Sequence, residues 1–409
     1  MKYLGIHHIR FAVDNPEQFS RFLIQHFGFQ YFAHRLNNPS AQSSIAVKHH
    51  SVVFVIDKRN HDNTVLEVNG NLPNLFLNGN VNYPVDTVCD ACFQCNNIDE
   101  ILERVKTTQK GSCVIRSKVE DLNGTVSYAV IQSPFGNLQH TLVDLSNYSG
   151  KFLPGFQINH NYVNSNHHYV ECIDHLAYMV PTGLADSAID WYNFVFEFER
   201  LFINKNDEVN EGFKVEHGPM GMRLKAIHGI DQFAPKCTGD FSSDMYIAPV
   251  KFVFGEPLSS STSDQISTFL EEHRGMGIQH IGLGTRNILE AVNHFKQLGA
   301  SFVAPPIEYY HDMNRIEEIE DLNITTDQLM KSGILVESSD SDNTEVLLPP
   351  DVNSWYIMQV FTKNLFKEQT FFLELIQRHR TQGGFGAGNI KALWSGVQAH
   401  LEKVKELEN

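Results

Sequence analysis

Three residues have side chains suited to a divalent cation: His175 and His280, which open the third and fourth copies of a repeated pattern, and Glu374, on a late strand of the fourth. Glu374 is the least expected of them. It lies in the run "FFLELIQRHRTQGGFG", residues 371 to 386. Strand side chains alternate between faces, so Phe371, Leu373 and Leu375 take one face and Phe372, Glu374 and Ile376 the other. A carboxylate aimed the same way as two apolar neighbours needs a positive partner or water, because an unpaired buried charge is costly and tends to neutralise itself. The partner is an arginine or lysine, solvent at an edge strand, or a metal ion. His175 and His280 each open a short strand and are 105 residues apart. Two neutral imidazoles and one carboxylate on one face leave three positions open on an octahedral ion. That is the facial set of non-haem Fe(II) oxygenases. Each histidine alone reads more readily as a hydrogen-bonded strand residue; it is the agreement of three positions that points to a metal.

The elements that must position these residues recur along the chain. "HHIRFAVDNPEQFSRFLIQHFGF" from His7, "DHLAYMVPTGLADSAIDWYNFVFEF" from Asp174 and "QHIGLGTRNILEAVNHFKQLGASF" from Gln279 align, with a weaker copy, "CDACFQCNNIDEILERVKTTQ", from Cys89. Each has a strand, a polar turn and an amphipathic helix with apolar residues at helical spacing. Strand-rich tracts such as "SSIAVKHHSVVFVI" and "TVSYAVIQSPFGNLQHTLVDL" lie between them. The pattern predicts an α+β fold: tandem βαβββ modules forming two open half-barrel domains, plus a C-terminal helix in "GNIKALWSGVQAHLEKVKELEN". The first domain is expected over 1–150 and the second, carrying the metal site and the closing helix, over 151–409. The Asn-, Ser-, Gly- and His-rich tract 144–168 reads as a linker. The acidic, Ser- and Asn-rich tract near 311–345 reads as a surface excursion.

Bulk properties exclude several classes. The 409 residues carry a net charge of −16, which argues against nonspecific binding to nucleic acid or anionic membrane. No stretch approaches the length of a membrane span. The opening "MKYLGIHHIRFAVDN" turns polar too soon for a signal-peptide core, so a cytoplasmic protein is expected. Six cysteines make no disulfide framework. Cys89, Cys92 and Cys95 have zinc-like spacing, but no second Cys/His pair follows nearby and the segment reads as a strand.

The motifs "IDHLAYMV", "FGEPLSSSTSDQISTFLEEHRGMGIQHIGLGTRNI", "VAPPIEYY", "MQVFTK" and "FFLELIQRHRTQGGFGAGNIKALW" resemble the 4-hydroxyphenylpyruvate dioxygenase family of the vicinal-oxygen-chelate superfamily. The resemblance covers most of the chain and is strongest from about residue 171. It implies Fe(2+) bound by His175, His280 and Glu374, and a 2-oxo acid that is decarboxylated and hydroxylated by O₂ as its own oxo-acid cosubstrate. It implies Gln265, Gln279 and Gln359 as amides that orient substrate and O₂. It places Phe361, Phe372 and Phe385 in the pocket wall, and Gly383, Gly384, Gly386 and Gly388 in a loop before a helix that closes the site. It also implies a homo-oligomer. The family default is 4-hydroxyphenylpyruvate to homogentisate, in aromatic amino-acid catabolism.

Departures from the family concentrate in the substrate pocket. Leu224 stands where the family has Ser, Gly255 where it has Asn, and Val253 where it has Pro. Ile390 replaces an aromatic residue. Losing hydroxyl- and amide-bearing partners weakens preference for a phenol. The expected substrates therefore include acids hydroxylated on the side chain to a mandelate, phenylpyruvate, and 4-methyl-2-oxopentanoate giving 3-hydroxy-3-methylbutanoate. A non-catalytic binding member of the superfamily is the alternative. In the N-terminal half, His8 is matched to His280, Asp90 falls opposite it, and His140 is matched to Glu374; this set reads as a vestige of a metal site.

Overall fold

The computed structural model describes residues 4–35, 44–59, 83–164, 168–202, 207–217, 220–229, 251–258, 265–311, 324–338, 356–379, 384–386 and 388–390. Most of the expected C-terminal helix, and Gly383, lie outside the described residues.

Two nine-stranded sheets form. The first holds β1 (Leu4–Val13), β2 (Gln30–Arg35), β3 (Ser44–His49), β4 (Val52–Lys58), β5 (Thr87–Cys95), β6 (Ser112–Asp121), β7 (Gly124–Gln132), β8 (Gln139–Tyr148) and β9 (Gln157–Ile158). The second holds β10 (Cys172–Met179), β11 (Glu199–Leu201), β12 (Phe213–His217), β13 (Met220–His228), β14 (Lys251–Pro257), β15 (Gly277–Gly284), β16 (Leu335–Ser338), β17 (Tyr356–Phe361) and β18 (Phe372–His379). Among the described residues the helices are α1 (Pro16–Phe27), α2 (Ile98–Thr108), α3 (Ala185–Phe196), α4 (Gln265–Glu272), α5 (Ile288–Gln297), α6 (Ile307–His311) and α7 (Thr326–Ser332).

The strand orders are β6-β7-β8-β5-β1-β4-β3-β2-β9 and, read from the opposite edge, β16-β17-β18-β15-β10-β14-β13-β11. β12 pairs with β13 off this path, and apart from that pair and β2–β9 each neighbouring pair in one sheet has a counterpart of the same sense in the other. β1 is parallel to β4 and antiparallel to β5, as β10 is to β14 and β15. Four βαβββ modules thus pair into two open, curled half-barrels, as the internal repeats predict.

Local chemistry sets the elements. Asn15 caps α1 by accepting from the Gln18 amide at 3.0 Å, Pro16 fills the first turn, and Gly28 ends the helix at φ 65°. Asn287 caps α5 at 3.1 Å to Glu290 N. The inner face of α5 buries Ile288, Ala291, Val292 and Phe295, each large side chain contributing about 1.5–3 kcal/mol. These faces join one core between the two sheets, where Phe11 meets Phe371 and Phe27 meets Phe295, with ring centroids 5.2 and 5.7 Å apart.

Two sequence expectations change. The tract 144–168 is partly built into the first half-barrel: β8 runs to Tyr148, β9 pairs with β2, and Phe152 and Leu153 are buried. Its polar composition hid three apolar anchors, Phe152, Leu153 and Phe156. Within 311–345, α7 and β16 belong to the fold, α7 being closed by a Thr325–Gln328 capping box.

The halves are also tied at Glu171, which meets His168 at 3.0 Å and Arg286 at 2.8 Å, with His50 stacked on His168 at 3.8 Å. Parallel rings at that distance cannot aim in-plane lone pairs at one ion, and Arg286 already neutralises the carboxylate. The cluster is a structural ion network.

Candidate metal centre

β10, β15 and β18 lie side by side. His175 pairs in register with Gly282, and Gly282 with Glu374. His280 lies two residues back along the central strand. The curled sheet makes this face concave, so side chains from three strands converge. His175 Nε2 lies 3.2 Å from Glu374 Oε2 and 3.4 Å from His280 Nε2, and His280 Nε2 lies 3.5 Å from Glu374 Oε2. The three donor atoms form a group that can hold a metal ion. Phe371, Leu373 and Leu375 point to the other side, into the core between the sheets.

Two β-bulges shape the site. The ladder between β10 and β15 skips Asp174 and Gln279. A bulge lets consecutive residues share a face that alternation would split. Asp174 therefore lies beside His175, its Oδ1 2.9 Å from Nδ1. A carboxylate only accepts, so Nδ1 carries the proton and the Nε2 lone pair faces inward. Gln279 likewise lines the same cavity as His280.

Electrostatics favour an ionised Asp174 and a neutral His280. Burial opposes charge on Asp174, yet Arg378 and Lys251 hold its pKa well below the usual carboxylate range. Burial and the neighbouring His175 keep His280 well below the ordinary imidazole value, so its ring is neutral. Burial alone would lower His175, but Glu374 and Asp174 raise it. Lys251, buried beside Arg378, is brought down to about 8.

The donor atoms floor a cavity of about 570 Å³. Gln265, Gln279, Leu224, Phe361, Phe372, Phe385 and Ile390 line it, as does Val253. Two residues expected in the pocket sit elsewhere. Gln359 stands behind Glu374: its Nε2 donates to Glu374 Oε1 at 2.8 Å and to Phe385 O at 3.2 Å, and its Oε1 accepts from Asn389 at 2.9 Å. Gly255 is covered by Met179, whose sulfur lies 2.7 Å from where a β-carbon would be. The thioether fills the space that a side chain at 255 would need. Sequence reasoning missed Ala177, Met179 and Met222 in the wall, although strand alternation from His175 and Leu224 points to all three. It also missed Thr362, Lys363 and Gln369 in the lining, on the β17–β18 connection, for which no periodicity exists.

The N-terminal half differs at each matched position. His8 pairs across the ladder with Cys92, as His175 does with Gly282. It therefore corresponds to His175, and Asp90 to His280. His140 faces the helices instead, 2.7 Å from Tyr192 Oη and 3.2 Å from Ala91 O. Thr141 takes the inward place and donates to Asp90. A slip of one residue reverses a strand's faces, which explains the mismatch. Arg10 fills the concavity, with Nε and Nη2 3.0 and 2.8 Å from Asp57 and Nη1 3.4 Å from Asp90. His7, His8 and Cys92 also stand close, but burial and Asp90 push the Cys92 thiol well up, which disfavours a thiolate ligand. Cys89, Cys92 and Cys95 pack into three separate clusters and do not converge.

No helix among the described residues is long and apolar enough to cross a membrane. No family model matches the chain. Over 97% of both chains it is 32% identical to the 4-hydroxyphenylpyruvate dioxygenase-like protein of Rattus norvegicus. It is 31% identical to the protein of that name in Homo sapiens, over 98% of both. It is 27% identical to the 4-hydroxyphenylpyruvate dioxygenase of Caenorhabditis briggsae, over 97% of this chain and 91% of that one. A mutant 4-hydroxymandelate synthase from Streptomyces coelicolor shares the fold at TM-score 0.72 and 19% identity, covering 98% of this chain and 99% of the other. By sequence over nearly its whole length, with a fold to match, this chain belongs to the 4-hydroxyphenylpyruvate dioxygenase-like family.

Proposed function

We propose that the protein is an Fe(II)-dependent dioxygenase that decarboxylates a 2-oxo acid and hydroxylates the rest of the same molecule. The supporting observation is the mutual spacing of His175, His280 and Glu374, 3.2 to 3.5 Å. Donors about 2.1 Å from one ion stand about 3.0 Å apart when cis and about 4.2 Å when trans. The set therefore fits three cis positions and leaves the opposite side free. With His175 Nδ1 committed to Asp174 and His280 neutral, inward lone pairs and a carboxylate share one point, which suits a divalent cation. Iron bound there supplies a site where the oxo acid and O₂ meet and the redox capacity to activate O₂.

The chain's own residues supply orientation and a dry wall. Asp174 fixes the tautomer of His175. The Gln359 amide holds one oxygen of Glu374 and leaves the other facing the imidazoles. Gln265 and Gln279 provide amides at the cavity surface that can orient polar groups of the substrate. Phe361, Phe372 and Phe385 suit an aryl or branched tail. Met179, Met222, Leu224 and Val253 form an apolar patch without a hydroxyl donor. That patch favours tails lacking a phenol, such as phenylpyruvate or 4-methyl-2-oxopentanoate, over 4-hydroxyphenylpyruvate.

The test is O₂ uptake by Fe(II)-loaded protein with these three acids, with products identified by mass. Uptake with CO₂ release is expected, fastest with an acid lacking the phenol and lost in H280A. Homogentisate from 4-hydroxyphenylpyruvate as the fastest reaction would overturn the specificity. No uptake by iron-loaded protein with any of the three would overturn the activity on these acids.

A further inference from the structure

We propose that Arg378 is a positioning residue that sets the orientation of His175 and the seat of Phe385 together. The inference rests on the metal reading above. Arg378 follows Glu374 by four residues on β18, points to the same face, and is buried. Its Nε and Nη2 grip both oxygens of Asp174, at 2.7 and 2.8 Å. Its Nη1 donates to Gly384 O at 2.9 Å. Asp174 holds the first histidine at Nδ1. Phe385, next after Gly384, lines the cavity and stands edge-on to the His175 ring, centroids 5.6 Å apart at 74°.

The contacts therefore close a ring: His175 to Asp174, Asp174 to Arg378, Arg378 to Gly384, and Phe385 back to His175. Only a planar fork with several fixed donors reaches both partners at once. Lys251 provides an internal contrast. It brings a second positive charge to Asp174 at 3.4 Å, while the bond to Gly384 O comes from Arg378. Charge alone is thus already supplied, and the geometry of the guanidinium is what Arg378 adds. A lysine at 378 would keep the charge count and lose the bridge.

The experiment compares wild type, R378K and D174N. Co(II) is titrated into each and followed by visible absorption. Amide hydrogen exchange over residues 384–390 is measured on the same proteins without metal. R378K is expected to bind Co(II) about 10- to 100-fold more weakly, the usual effect of losing a partner that orients a ligand, and to exchange faster over 384–390. D174N is expected to weaken Co(II) by a similar factor while exchange over 384–390 stays near wild type. Should R378K fail to fold, R378Q carries the same expectation. Wild-type affinity and exchange in R378K would overturn the proposal, and a change in only one of the two would overturn the shared role. Failure of wild type to bind Co(II) would overturn the metal reading itself, a distinct result.

Discussion

His175 and Glu374 lie on one row of the sheet, two strands apart, with Gly282 between them. Strands spaced by about 4.8 Å put their backbones nearly 10 Å apart, yet Nε2 and Oε2 approach to 3.2 Å. The curl of the sheet closes that gap, and the His175 ring lies over the glycine, where a β-carbon would fall 2.2 Å from it. Removing Glu374 should therefore empty the centre without harming the core, whose residues on β18 face the other way. E374A is expected to lose at least nine-tenths of bound iron, measured by metal analysis after loading, with far-UV circular dichroism unchanged. Iron retained at the wild-type ratio would be incompatible with the ligand assignment.

Gly386 should tolerate no side chain. Its φ is 67°, and a β-carbon there would fall 1.5 Å from Gln359 Oε1. G386A must push Gln359 away from Glu374 or distort the loop. The expected cost is about 1–3 kcal/mol of stability and about 10-fold or more in metal affinity. Chemical denaturation and metal titration of the one variant measure both.

Leu224 pairs in the ladder with Gly255 and faces the cavity. L224S would place a hydroxyl in the apolar patch. The ratio of kcat/KM for 4-hydroxyphenylpyruvate over phenylpyruvate should rise by about 10-fold or more, read from O₂ uptake with each acid. A buried hydroxyl should also lower stability by about 1–3 kcal/mol. An unchanged ratio would mean that the tail lies elsewhere.

His140 should make the protein acid-sensitive. Burial brings its pKa down to about 4, against about 6.5 in the unfolded chain. Between those values the unfolded state binds the proton and the folded state does not. Stability is thus full above about pH 6.5 and falls as pH drops towards 4. His49, also lowered to about 4 mainly by burial, acts in the same direction. Replacing His140 with Asn should flatten the loss by up to about 1.4 kcal/mol per pH unit in that window, seen in urea midpoints from pH 7 to 4.5. An unaltered slope would show that other groups dominate.

The sequence alone determined the α+β class and the repeated modules, because strand and helix periodicities are local properties. It also determined that Glu374 shares a face with Phe372 and not with Leu373, since alternation is a property of one strand. Only the tertiary structure decided which strands are neighbours, and so that His175, His280 and Glu374 meet. The bulges at Asp174 and Gln279 break alternation, and nothing in either local sequence announces them. For the same reason the match of His140 to Glu374 failed by one residue, with Thr141 inward and Arg10 filling the first half-barrel. Met179 over Gly255 and Gln359 behind Glu374 depend on contacts between strands distant in sequence. Residue types limited the chemistry; the curl and register of three strands set where it can take place.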